Sequence, residues 1–249
     1  MRIDLYLVEK GYFKTRSKAS LAIKANAIYV NDKLITKNGF EITDEDKLEI
    51  KIETDRYVSR GGYKLEKAIE EFKLDFTNKT VLDIGASTGG FTDCALQNNA
   101  AKVYSVDTGV DQLVEELKVN PKVVSMEQTN ILDTNIEDKI DFIVMDVSFV
   151  SIENMIPALL RYLDENNKIV MLIKPQFEVG KIKMKNGVIK DPKIHLNVLN
   201  QVYNALLQAG IYIEKCIVSP ILGGSGNKEF LALASKQNCA KPNFNKIVE

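Results

Sequence analysis

From residue 80 onward, short apolar segments alternate with amphipathic ones, and this alternation constrains the fold more than any other feature of the chain. Segments 80–84, 102–106, 123–126, 142–145 and 168–173 have the length and apolar content of strands, with 142–145 apolar throughout. Segments 91–98, 110–118 and 152–163 have the apolar spacing of helices, and a further helix is expected over 194–209 after a long polar stretch. Strands alternating with helices predict a parallel sheet covered on both faces. The chain closes differently. Segments 211–218 and 229–235 are consecutive strands joined by Gly223-Gly224-Ser225-Gly226, which adds an antiparallel hairpin. The expected fold class is α/β, a Rossmann-like, mostly parallel sheet with a terminal antiparallel hairpin. The tail over 237–249 is polar and expected to be loose.

Residues 1–52 read as a separate α+β unit. Leu5, Leu7 and Val8 lie on a short helix ended by Gly11, and Thr15 or Ser17 caps a second helix through Ala19, Ala22 and Ile23. Strands follow at 28–30 and 47–52, with Asn31-Asp32 as a turn. Residues 53–58 are expected to be a linker, and 59–236 the large domain, which begins with a helix from Tyr63 to about Phe72. Net charge is −1, yet residues 1–37 carry eight Lys/Arg against three Asp/Glu, a locally basic surface. Three cysteines, Cys94, Cys216 and Cys239, have no metal-type spacing; they argue against a disulfide framework, against a metal site and for a reducing compartment. Charged residues interrupt the N-terminus, and the longest apolar runs are strand-sized. Both point to a cytoplasmic protein without a membrane span.

The first strand of the large domain runs into Asp83-Ile84-Gly85-Ala86-Ser87-Thr88-Gly89-Gly90-Phe91. A glycine-rich turn between strand and helix brings backbone close to a ligand and presents helix N–H groups to it. Asp107, at the end of the next strand, stands where an acid binds ribose hydroxyls. A dinucleotide or S-adenosylmethionine would suit this arrangement, and a tight βα turn with no ligand would use the same glycines. Two features favour S-adenosylmethionine. The glycines are spaced G-x-x-x-G-G rather than G-x-G-x-x-G, and Asp83 would repel a pyrophosphate but pair with a positive methionine moiety. Asn130 is a candidate for the adenine side, and Phe149 for either the pocket wall or the core.

Five blocks carry a resemblance. They are Tyr57-Val58-Ser59-Arg60-Gly61-Gly62-Tyr63-Lys64-Leu65, Gly85 to Thr92, Asp146-Val147-Ser148-Phe149, Ile173-Lys174-Pro175-Gln176-Phe177-Glu178-Val179-Gly180, and Ser225-Gly226-Asn227-Lys228-Glu229. In order and spacing the chain resembles the hemolysin A (TlyA) family of ribosomal RNA ribose methyltransferases. The resemblance implies S-adenosylmethionine as cofactor, a cytidine ribose of ribosomal RNA as acceptor, and a Lys-Asp-Lys-Glu tetrad at Lys64, Asp146, Lys174 and Glu229. These residue types suit the chemistry. A 2′-hydroxyl must lose its proton as it attacks, and a lysine at its ordinary pKa of about 10.4 is already protonated. Burial and a second cation lower that value, so Lys64 near Lys174 would free Lys174 as general base; the alternative for Lys64 is to hold the substrate phosphate.

The N-terminal unit resembles the S4 RNA-binding domain through Arg2-Ile3-Asp4, Arg16-Ser17-Lys18-Ala19 and Ile28-Tyr29-Val30-Asn31. Arg2, Lys14, Arg16, Lys18, Lys24 and, in the large domain, Arg60 are the candidate RNA contacts, with ribosomal RNA or a ribosomal subunit as partner and a monomer as the expected state. Departures from the family pattern stand at Asn26, at Val110-Asp111 and at Gln128. His195 reads as a polar residue at a helix start. The rival readings are a ribosome-binding factor with a vestigial enzyme domain, a membrane-active hemolysin and a nicotinamide dehydrogenase.

Overall fold

The computed structural model describes residues 1–13, 15–24, 27–50, 56–180 and 187–249. The chain divides into two compact units, Met1–Arg56 and Tyr57–Glu249. The division falls inside the segment expected to be a linker, but Tyr57 is part of the large unit. Its ring is buried edge-on to Tyr63, and a Cβ on Gly62 would lie 2.2 Å from it. One aromatic ring outweighs the polar residues before it.

The small unit has helices α1 (Ile3–Glu9) and α2 (Arg16–Lys24) and strands β1 (Ile28–Val30), β2 (Lys33–Leu34) and β3 (Leu48–Ile50). β1 pairs antiparallel with both other strands. Asn31 and Asp32 turn the chain between β1 and β2 at φ 50° and 62°, left-handed values that Asn and Asp tolerate and a two-residue hairpin requires. Ile3, Leu7, Ala19, Ile23, Ile28 and Val30 build its own core.

The large unit runs α3 (Gly61–Phe72), β4 (Thr80–Ile84), α4 (Gly90–Gln97), β5 (Lys102–Val106), α5 (Glu115–Lys118), β6 (Val123–Met126), β7 (Phe142–Met145), α6 (Ile152–Tyr162), β8 (Lys168–Ile173), α7 (Pro175–Glu178), α8 (Pro192–Gln208), β9 (Tyr212–Val218), β10 (Phe230–Ser235) and α9 (Phe244–Val248). The sheet order is β6-β5-β4-β7-β8-β10-β9. β6, β5, β4, β7 and β8 are parallel, and β10 is antiparallel to both β8 and β9, as expected. Strand alternation feeds two cores. On β8, Ile169, Met171 and Ile173 join one apolar cluster while Val170 and Leu172 join the other.

Two expectations fail. The helix expected over 110–118 shrinks to α5. Asp111 is left-handed at φ 49°, and the Glu127 carboxylate accepts the N–H groups of Gln112 and Leu113, so a helix ladder cannot start there. The tail is not loose. Phe244 and Val248 on α9 are buried, Phe244 edge-on to Tyr203, and Lys228 Nζ donates to the Val248 carbonyl at 3.2 Å. Helical spacing of Phe244, Ile247 and Val248 supplies an apolar face that the overall polarity of the tail conceals. Among the described residues, no helix is long and apolar enough to cross a membrane.

Candidate active site

The sheet reverses its order at β4, which has β5 on one side and β7 on the other. In such sheets a crevice opens beyond the carboxyl ends of the strands at that reversal, and ligands bind there. A cavity of about 640 Å³ lies at this point. Gly85 after β4, Asp107 after β5 and Asp146 after β7 converge on its wall. Gly85 is required twice over: its φ is +83°, and a Cβ would stand 2.8 Å from the Asp146 carbonyl oxygen. Asp107 accepts the N–H groups of Ser87 at 2.8 Å and Gly109 at 2.7 Å, which ties the loop after β4 to the loop after β5.

Of the loop residues singled out above, Ile84, Gly85 and Ser87 line the cavity, together with Asp107, Asn130 and Phe149. Asp83, Ala86, Thr88, Gly89, Gly90 and Phe91 are not on its wall; they hold the loop from behind. A Cβ on Gly89 would lie 2.3 Å from Leu117 Cδ1, and one on Gly90 would lie 2.9 Å from the Gly62 nitrogen. These glycines therefore let α4 pack against its neighbours. Phe91 is buried in the second core cluster. Asp83 is fully buried. Its Oδ2 accepts from Thr92 Oγ1 at 2.6 Å, which in turn lies 2.7 Å from Ser105 Oγ, while Oδ1 has no hydrogen-bond partner among the described residues. Burial pushes its carboxyl up to about 7. Asn130 caps a single 3-10 turn (Ile131–Asp133), its Oδ1 accepting the Leu132 N–H.

Residues the sequence did not single out complete the wall. Ile131, Leu132, Val150 and Met155 are apolar, and Thr108, Gly109, Gln112 and Thr129 are small or polar. Thr108-Gly109 and Val150 stand just past β5 and β7, so the strand-end rule could have named them. Gln112 and Met155 carry no such signal.

Lys64, Asp146, Lys174 and Glu229 come together from α3, the end of β7, the end of β8 and the start of β10. Lys64 Nζ donates to Glu229 Oε2 at 2.7 Å and lies 3.9 Å from Asp146 Oδ2. Lys174 Nζ stands 2.5 Å from Asp146 Oδ1 and donates to Ser148 Oγ at 2.8 Å. Glu229 is almost fully buried, with Oε1 accepting from Gln176 Nε2 at 3.1 Å. Both lysine side chains are about nine-tenths buried, and two amines face two carboxyl groups. Burial of such polar groups is tolerable because each has a partner. Asp146 belongs to both assemblies: it lines the cavity and pairs with both lysines.

Phe149 is 91% exposed, at φ +63°, with its ring 4.8 Å from that of Phe177. It is therefore no core residue. Glu178 on α7 is buried and accepts from Ser151 Oγ at 2.7 Å and from the Ile152 N–H at 3.0 Å, fastening the start of α6. Burial raises its carboxyl above the usual range.

Residues 57–236 match the FtsJ-like methyltransferase family, and residues 1–48 match the S4 domain. Hemolysin A of Brachyspira hyodysenteriae is 43% identical over 237 residues, covering 93% of this chain and 98% of that one. The protein named 16S/23S rRNA (cytidine-2′-O)-methyltransferase TlyA of Mycobacterium tuberculosis is 35% identical over 234 residues, covering 92% and 87%. The chain belongs to the hemolysin A (TlyA) family of FtsJ-like methyltransferases. A solved structure described as a hemolysin from Streptococcus thermophilus superposes with a TM-score of 0.77 at 40% identity, covering 100% of this chain and 94% of that one. S-adenosylmethionine is thus the cofactor. The cavity fits it: among the described residues the wall carries the carboxylates of Asp107 and Asp146 and no Lys or Arg, so it suits a cationic sulfonium and would repel a pyrophosphate. The dehydrogenase reading is set aside.

In the S4 unit, Arg2 and Arg16 are half exposed, and both donate to the buried Asp4. Arg16 first and then Arg2 hold the Asp4 carboxyl below its usual range. Asn26, Lys14 and the side chains of Lys18 and Lys24 lie outside the described residues. Arg60 precedes α3 and donates to the Leu222 carbonyl at 2.7 Å. At the family departures, Asp111 and Gln128 are both left-handed. His195 is buried edge-on to Phe230, with its pKa lowered first by burial, and it stands apart from the tetrad network.

Proposed function

We propose that this chain methylates the 2′-hydroxyl of a cytidine ribose in ribosomal RNA, foremost of the large subunit, with Lys174 as general base in a Lys64-Asp146-Lys174-Glu229 tetrad. The observation that carries this reading is the double role of Asp146, which joins the cofactor cavity to the paired lysines. S-adenosylmethionine supplies a methyl on a sulfonium, transferred as the O–C bond forms and the C–S bond breaks with its electron pair left on sulfur. Lys174 takes the proton that leaves O2′. Lys64 is committed to Glu229 at 2.7 Å and is nearly buried, which favours it as an electrostatic partner over a phosphate contact. Asp146 and Glu229 balance the two amines. Gly85, Ser87, Asp107 and Asn130 hold the cofactor, and Asp83, Ala86, Thr88, Gly89, Gly90 and Phe91 shape the loop that does so.

The exposed Phe149, its ring against the partly buried Phe177 beside Lys174, offers a face on which a base can stack. The S4 unit supplies phosphate contacts through Arg2 and Arg16, with Lys14, Lys18 and Lys24, and Arg60 adds one in the large unit. RNA modification of this kind places the protein in the cytoplasm. The test is to incubate ribosomal subunits with labelled cofactor and digest the RNA to nucleosides. Label in 2′-O-methylcytidine supports the reading, and label on a base or on protein overturns it. The rival, a ribosome-binding factor with a vestigial domain, is disfavoured by the intact tetrad; calorimetry that detects no cofactor binding would revive it.

A further inference from the structure

Lys174 is held by more than its carboxylate partner. The contact with Asp146 Oδ1 is an ion pair without hydrogen-bond geometry. Among the described residues, the hydrogen bond from Lys174 Nζ goes to Ser148 Oγ, at 2.8 Å. Ser148 lies two residues past Asp146, on the exposed part of the same loop, and also lines the cavity. The ring of Phe177 stands 5.8 Å from Nζ.

An amine that accepts a proton has two N–H groups and one lone pair. The N–H given to Ser148 is the one with hydrogen-bond geometry, so that bond sets how the amine is turned about its Cε–Nζ axis and where its lone pair points. Without a hydroxyl at 148, that N–H can rotate, and the lone pair rotates with it. We propose that Ser148 is a positioning residue for methyl transfer: it accepts one N–H of Lys174 and thereby fixes the direction of the lone pair that takes the ribose proton. The inference rests on Lys174 being the general base. As O2′ bonds to the methyl carbon and the C–S bond breaks, the O2′ proton ends on Nζ. The resulting ammonium keeps its ion pair with Asp146 and its hydrogen bond to Ser148, and the N–H formed from the lone pair faces the methylated oxygen.

The test compares wild type, Ser148→Ala, Ser148→Thr and Lys174→Ala in methyl transfer to ribosomal subunits, with cofactor affinity measured separately by calorimetry. Ser148→Ala is expected to lower kcat about ten- to a hundredfold, the scale of one hydrogen bond to a reacting charged group, with RNA KM and cofactor Kd unchanged. Ser148→Thr keeps the hydroxyl at an exposed position and should restore most of kcat. The proposal is overturned if Ser148→Ala keeps full kcat while Lys174→Ala is inactive. A Ser148→Ala defect that appears only as weaker cofactor binding, or one that Thr does not relieve, also overturns it; the serine is then only a wall of the cavity. An active Lys174→Ala removes the general-base reading itself, and the role of Ser148 falls with it.

Discussion

Two single residues concentrate the physical demands of the glycine-rich loop after β4. Gly85 combines a positive φ with a backbone oxygen 2.8 Å from where a Cβ would be. Gly85→Ala should push the loop away from Asp146, cost roughly 1–3 kcal/mol of stability and weaken cofactor binding at least tenfold. Calorimetry with the cofactor checks this, and normal affinity would refute it. Asp83 carries a pH signature. Its folded carboxyl titrates near 7 against an ordinary 3.8, so between these values the folded state binds more protons than the unfolded. Stability should therefore fall as pH rises from 4 to about 7, by a few kcal/mol at most. Urea denaturation at pH 5 and pH 8 should show a smaller difference in Asp83→Asn than in wild type; equal differences would rule out the titration of this group.

At the scale of elements, the site is two loops held together at two points. Lys174, after β8, grips Asp146 and Ser148, while Glu178, one turn on, grips Ser151 and Ile152. Glu178→Ala leaves the buried Ile152 N–H without its partner and should lower unfolding free energy by about 1–3 kcal/mol in chemical denaturation. An unchanged midpoint would show that the clamp adds nothing. The strands and most helices were legible because burial on two faces and amphipathic spacing leave direct marks in the residue pattern. The tetrad was legible only through the family resemblance, since a lone Lys or Glu at a strand end looks like any surface charge. The collapse of segment 110–118 was not legible, because it depends on Glu127 reaching back across sequence to take two N–H groups. Nor was α9, whose apolar residues are few and matter through what they cover. The glycine-rich loop was half legible: the sequence marks its glycines, but not which of them line the cavity and which let helices approach.

In the whole molecule, separate cores in the two units imply separate roles. Arg16→Ala should weaken RNA binding across sequences and reduce the slope of log K against log salt by about one, while cofactor affinity stays the same. Titrations at several salt concentrations decide this, and an unaltered slope would remove Arg16 from the RNA surface. The central claim is that the buried Lys-Asp-Lys-Glu cluster beside the cavity moves a methyl group to a ribose hydroxyl with Lys174 as base. The most direct measurement is nucleoside analysis of ribosomal RNA after reaction with labelled S-adenosylmethionine, using wild type and Lys174→Ala at equal cofactor occupancy. The account predicts 2′-O-methylcytidine with wild type and a loss on the order of a thousandfold or more with Lys174→Ala. Equal label from both proteins, or label confined to a base, would contradict it.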